Sequence, residues 1–246
     1  MDNTKYVALS RQMALWKQMD IVSNNMANMN TSGYKQDEAV FTDYMVKTEN
    51  AQGFGKVPVY FTMDYGVFKN FAEGAFVDTG NAFDAAIQGD AFFAVETPEG
   101  ERYTRKGQFS LNADGQLVTK DGHPVLSENN EPFFFAPGET AVNIAENGDV
   151  STENGVIGRL KLVSFANNQK LLKVAGTMFE NTPGNAMILG SPAVVKQGMV
   201  EKSNVEPIAE MTKLINLQRS YEYVQQMIDE EHERLSNTIS TYTQLV

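Results

Sequence analysis

The chain has 246 residues, 42% of them hydrophobic and 10% aromatic, which is enough to bury a sizeable core and unlike a disordered chain. Its formal net charge of -11 lacks the basic face that nucleic acid or an anionic membrane requires, and no run approaches the roughly 18 apolar residues of a membrane span. There is no cysteine, which excludes disulfides, thiolate metal sites and a cysteine nucleophile.

Residues 1–6 carry no basic stretch leading into a continuous apolar run, so a cleaved secretory signal is not expected; taken alone, that would place the protein in the cytoplasm. Leu15, Met19, Val22, Met26 and Met29 then recur at steps of four and three, the spacing of a buried seam. This predicts a helix from about residue 3 to residue 30, with Arg11, Lys17 and Asp20 facing water. Met13 and Trp16, the single tryptophan, lie beside the seam and widen the apolar face. Asn28-Met29-Asn30-Thr31-Ser32-Gly33 ends it, since Gly33 can take the positive φ a C-cap needs. Residues 1–33 therefore read as an N-terminal helical segment.

Residues 34–79 read as an extended connector with short strands, one of them at 57–63, because Pro58, Gly53, Gly55, Gly66 and Gly74 break the periodicity. Residues 80–192 read as a central β domain. Apolar strands at 85–87 and 91–95 flank Gly89-Asp90, and strands at 102–104 and 108–111 flank Lys106-Gly107. Asp114-Gly115, Asp121-Gly122, Asn147-Gly148 and Asn154-Gly155 are turn dipeptides. At 157–165 Leu160 and Leu162 alternate with Arg159 and Lys161, the pattern of a half-buried strand. Turn signals at this spacing predict an antiparallel sandwich or barrel.

Residues 193–246 read as the C-terminal helical segment. Leu214, Leu217, Tyr221, Val224, Ile228, Leu235, Tyr242 and Leu245 share one heptad frame, interrupted by Glu231 and Thr238. Pro207 suits a first helical turn, with Asn204 as a candidate cap, and the helix extends to about residue 241. The whole is an α+β chain, its two terminal helices forming a coiled-coil-like element around the β middle. A two-helix hairpin buries one seam, so the wider methionine and tryptophan face of the first helix points to an intersubunit surface.

Chemistry is sought and not found. His123 sits in a turn, and His232 lies on the charged stretch 229–234 with Ser236 where a zinc-protease motif needs histidine. The acidic turns at 78–81 and 112–115 lack the closing glutamate of a calcium loop. Asp84 and Asp90 form no convincing acid–base pair, and Tyr103 and Arg105 read as core and rim packing. No phosphate loop or dinucleotide fingerprint is present, and no cofactor, metal or catalytic residue is expected.

Val22-Ser23-Asn24-Asn25-Met26-Ala27-Asn28-Met29-Asn30-Thr31-Ser32-Gly33-Tyr34-Lys35 resembles the N-terminal signature of bacterial flagellar rod and hook proteins. The stretch from Thr79 to Phe93, with Tyr103-Thr104-Arg105 and 112–119, is similar to the opening of that family's central domain. Gly198-Met199-Val200-Glu201-Lys202-Ser203-Asn204-Val205 and Gln218-Arg219-Ser220-Tyr221-Glu222 resemble its C-terminal block, with Ser220 where alanine is usual. The likeness covers nearly the whole chain. Ser10-Arg11-Gln12-Met13-Ala14-Leu15 and the length are most like the proximal-rod branch, with the distal-rod branch a near sibling. The resemblance implies a non-enzymatic, periplasmic rod subunit of the basal body that partners with copies of itself and other rod subunits. It implies export through the flagellar type III apparatus, with N-terminal residues as an uncleaved signal. A cell-wall enzyme and a monomeric binding module remain as readings from other classes, neither with a motif.

Overall fold

The computed structural model describes residues 2–49, 56–136, 142–190 and 192–244. The chain is α+β and divides into two compact units. One comprises Met1–Ala27, Asp37–Lys69 and Glu206–Val246; the other comprises Asn28–Gln36 and Asn70–Val205.

The first unit is built from two helices, α1 (Asp2–Ala27) and α2 (Pro207–Gln244), and a hairpin of β1 (Asp37–Glu49) and β2 (Lys56–Lys69). The helices run antiparallel. Gln12 Nε2 donates to Gln225 Oε1 at 2.6 Å, while Asn25 Nδ2 donates to Glu210 Oε2 at 3.1 Å. Helix α1 buries Ala8, Leu15 and Val22, seven residues apart, together with Ala14 and Ile21. On α2 the positions Leu214, Leu217, Tyr221, Val224, Ile228, Glu231 and Leu235 are half-buried, so the heptad frame marks the covered side of that helix. Leu245 lies outside the described residues.

Pro207 opens α2, and Glu206 O accepts from Glu210 N at 3.0 Å. Asn204 is not the cap expected of it. It accepts from Gln36 N at 2.8 Å and donates to Asn70 O and Ala72 O, joining three segments of the second unit. Helix α1 ends at Ala27, earlier than the spacing predicts, because Asn28 O and Thr31 O accept from Thr31 N and Tyr34 N in consecutive turns.

The stretch read as a connector of short strands contains two strands of 13 and 14 residues, paired antiparallel from Asp37↔Lys69 to Glu49↔Lys56. Pro58 is tolerated because each strand of a two-stranded ribbon is an edge, where an N–H can point away from its partner. One register shift, at Val40/Phe41, lies beside Gly66, whose φ of 143° no β-branched residue would accept. Gly53 and Gly55 fall outside the described residues.

The second unit is antiparallel throughout. Its six-stranded sheet has the order Leu172–Ala175, Met178–Glu180, Gly100–Thr104, Phe92–Thr97, Leu162–Phe165, Met187–Leu189. The apolar run Phe92-Phe93-Ala94-Val95 is buried on both faces. Phe93 and Val95 join a core with Ile87, Phe109, Leu117, Phe133 and Val195; Phe92 and Ala94 join another with Tyr103, Val163, Phe165 and Phe179. Val194–Gln197 and Met199–Glu201 pair with Ala85–Gln88 and Phe76–Asp78, so the segment from 193 onward begins with two strands before it becomes helical.

The single strand expected at 157–165 is instead two, Gly155–Arg159 and Leu162–Phe165, in different sheets. Lys161 sits at the break and is 5% exposed, with Nζ 2.7 Å from Glu101 Oε1 and 2.6 Å from Asn130 Oδ1. A paired lysine can be buried where an unpaired one would have to face water.

Candidate assembly surface

Asn25 is the pin of the first unit. It is 1% exposed, and its amide spans three elements: Nδ2 donates to Asp37 O at 2.8 Å and to Glu210 Oε2, and Oδ1 accepts from Asp37 N at 3.1 Å. Glu210, equally buried, also holds Lys213 Nζ at 2.7 Å. A buried polar cluster that ties three elements together fixes register as well as adding stability. Beside it runs a groove of about 440 Å³ lined by Leu15, Val22, Ala39 and Leu217, with Arg11 and Lys213.

The reverse of α1 is not covered. Tyr6, Leu9, Met13 and Trp16 are 48–65% exposed and follow one another at steps of three, four and three. At 100° per residue this row lies about 180° from the mean direction of the buried Ala8, Ala14, Leu15, Ile21 and Val22. Met13 and Trp16 therefore do not widen the seam, as their spacing suggests; they belong to a second stripe on the opposite face. On α2, Ile208, Met211 and Ile215 form a similar row, 46–83% exposed and about 140° from the covered side. Met19 and Met26 are half-buried, and Met29 lies beyond the end of α1.

The second unit contains a buried charge cluster. Lys35, Glu201 and Arg105 side chains are each at most 1% exposed. Lys35 Nζ donates to Glu201 Oε1 at 2.6 Å, to Ala72 O at 2.8 Å and to Phe71 O at 3.3 Å. Gly74 N donates to the same carboxylate oxygen at 2.9 Å, and Arg105 Nη1 lies 3.5 Å from Oε2. Arg105 further donates to Ile87 O and Gly89 O, with its guanidinium 5.2 Å from the centre of the Phe92 ring. Burial pushes the Lys35 ammonium and the Arg105 guanidinium below their ordinary pKa, and the Glu201 carboxylate opposes both shifts. Gly33 has φ +68° and donates its N–H to Glu201 O at 2.8 Å; a Cβ there would run into the backbone of Arg105 and Lys106.

Three segments match family descriptions. Residues 6–35 match the flagella basal body rod protein family, 86–152 the flagellar hook protein FlgE/F/G D1 domain, and 196–241 the flagellar basal body rod FlgEFG protein C-terminal family. The flagellar basal-body rod protein FlgF of Caulobacter vibrioides is 42% identical over 233 residues, 93% of each chain. The chain belongs to the flagellar basal-body rod protein family. FlgF of Mesorhizobium japonicum is 36% identical over 224 residues, 90% of each chain. FlgG of Agrobacterium fabrum is 34% identical over 242 residues, 89% of this chain and 91% of the relative. The protein is thus a structural subunit of the flagellar basal-body rod.

The rod-family signature residues divide by location. Asn25, Gly33, Tyr34 and Lys35 are buried, and Asn28 and Thr31 bond each other at 3.2 Å in the turn. Asn24 and Asn30 are exposed. In the C-terminal block Tyr221 is half-buried, whereas Gln218, Arg219 and Glu222 face outward. Sequence reasoning missed Glu210, the partner of Asn25, and the roles of Glu201 and Arg105 in the charge cluster. It also missed Tyr6 and Leu9, although the three-four-three spacing from Tyr6 to Trp16 is itself a readable signal.

Proposed function

We propose that the protein is a subunit of the proximal rod, reaching the periplasm unfolded through the flagellar type III export apparatus without a cleaved signal and joining its neighbours through the outer faces of α1 and α2. The observation that carries this reading is the Tyr6–Leu9–Met13–Trp16 row, exposed on a helix whose opposite face is already packed. Burying large apolar side chains contributes roughly 1.5–3 kcal/mol each, so a row of four is a strong drive to associate. In the rod the helices pack in coiled-coil fashion into a stiff shaft, the β unit adds lateral contacts as a sandwich-like body, and torque passes through buried side chains that cannot slip. Head-to-tail contacts of this kind extend into a filament instead of closing.

Trp16→Asp tests it. Because Trp16 is off the seam, the variant should melt within about 0.5 kcal/mol of wild type yet be missing from isolated basal bodies and leave cells non-motile. Basal bodies carrying the variant at wild-type levels would overturn the proposal.

A further inference from the structure

Three side chains of the β unit supply the parts of an amide-forming site, and we infer that Lys161 and Asn130 join in an intramolecular isopeptide bond with Glu101 as the acid–base group. The reaction transfers an acyl group from ammonia to an amine. It goes beyond the proposed function and does not rest on it.

Lys161 Nζ lies 2.6 Å from Asn130 Oδ1 and 2.7 Å from Glu101 Oε1, on a lysine that is 5% exposed. Glu101 Oε1 is sealed from solvent and accepts no hydrogen bond of ordinary geometry, so its acceptor capacity is open toward the amine. The groups that must react stand on pinned backbone. Lys161 N donates to Leu126 O at 3.1 Å, and Lys161 O accepts from Ala94 N at 3.2 Å. Asn130 has φ +62°, the one non-glycine residue in the left-handed region among the described residues. Its turn is closed by Asn130 N on Ser127 O and by Glu131 N on Ser127 Oγ. Rigid placement of an amine against a carboxamide supplies the near-attack arrangement that free groups reach only by collision.

The steps balance within these groups. Glu101 takes a proton from the Lys161 ammonium, and the freed electron pair forms the Nζ–Cγ bond to Asn130 while the carbonyl electrons move onto Oδ1. Glu101 returns the proton to Nδ2, the Cγ–Nδ2 bond breaks, and ammonia leaves as the carbonyl re-forms. Glu101 then removes the surplus proton from Nζ and passes it to the ammonia, which departs as ammonium. The stoichiometry needs no oxidant or reductant. Asn130 is exposed, so the ammonia has a way out. The two partners are 31 positions apart in the chain, so the bond follows folding. It ties the residue before the strand Leu162–Phe165 to the turn at 127–131.

Mass spectrometry of the folded, full-length protein tests this. The chain should weigh about 17 Da less than its sequence, the mass of the lost ammonia. Trypsin cuts after Lys120, Arg159 and Lys170, so residues 121–159 and 160–170 should emerge as one branched peptide, uncut at Lys161. Glu101→Gln should keep its full sequence mass and give separate peptides, with circular dichroism to show that it folds. Asn130→Gly, which keeps the positive φ of the turn, should do the same and serves if Glu101→Gln does not fold.

A folded wild-type chain at its sequence mass would overturn the inference. So would an ammonia loss confined to peptide 121–159, which is a cyclic imide at Asn130 and no cross-link. A branched peptide formed as fully in Glu101→Gln as in wild type would overturn the role of Glu101. None of these results touches the proposed function, which fails only if Trp16→Asp assembles normally.

Discussion

Lys35 and Arg105 are two buried cations that share one buried carboxylate, Glu201; Arg105 also lies 3.9 Å from the exposed Asp90, and the carbonyls of residues 71, 72, 87 and 89 accept further N–H groups of the two cations. Removing one partner of a buried ion pair leaves the other uncompensated, at a cost of about 3–5 kcal/mol. Glu201→Met and Lys35→Met should each lower unfolding free energy by about that much, and Lys35→Met/Glu201→Met by much less than the sum. Denaturant melts of the four proteins measure it, and additive losses would mean that the pair is not coupled. Lys35 is legible in sequence only as part of a signature. Its role is not, because its partner is 166 positions away. Lone lysines read as surface residues, and nothing local to Lys35 says otherwise.

At the scale of elements, the α2 heptad frame is legible because every turn repeats it, and the structure places the half-buried side of α2 on those positions. The α1 frame is less legible, since that helix carries two apolar stripes and Met19, Met26 and Met29 blur the boundary between them. The two stripes make opposite predictions. Val224→Asp or Leu214→Asp puts a carboxylate on the covered side and should cost about 2–3 kcal/mol and abolish assembly. Trp16→Asp should lose assembly alone. Circular dichroism melts beside basal-body composition separate the two; equal melting of Val224→Asp and wild type would contradict the packing described here. The hairpin of β1 and β2 was hidden for a different reason. Glycine and proline mark breaks in most contexts, but a two-stranded ribbon has free edges that accept both.

Across the whole molecule, the chain enters the β unit twice, for the short piece Asn28–Gln36 and again for Asn70–Val205. The short piece is held there by Lys35, by Gly33 N on Glu201 O, and by Gln36 N on the Asn204 side chain. Most of the fully buried side chains belong to the β unit, so the helix pair and its ribbon open locally before it does. In dilute monomer, limited proteolysis should therefore clip 2–27, 37–69 and 206–244 first and leave a core of about 70–205. Residues 28–36 should stay bound to that core after the chain is cut on both sides. Mass spectrometry under native conditions reads this directly, and release of the 28–36 peptide would show that the charge cluster does not hold it. Survival of the intact helices would show that the helix unit opens no more readily than the β unit.

Helix, strand and turn, the apolar frame of α2 and the likeness to the rod family were all determined by residues close together in sequence, where periodicity and turn chemistry act locally. The tertiary structure alone decided which face of α1 is spent inside the chain and which is left for others. It also decided that 34–79 is mostly one ribbon, and that Asn25 finds Glu210 and Lys35 finds Glu201. Those outcomes depend on which distant groups meet. A polar side chain's cost or benefit when buried is set by its partner, and local sequence does not carry the partner's identity.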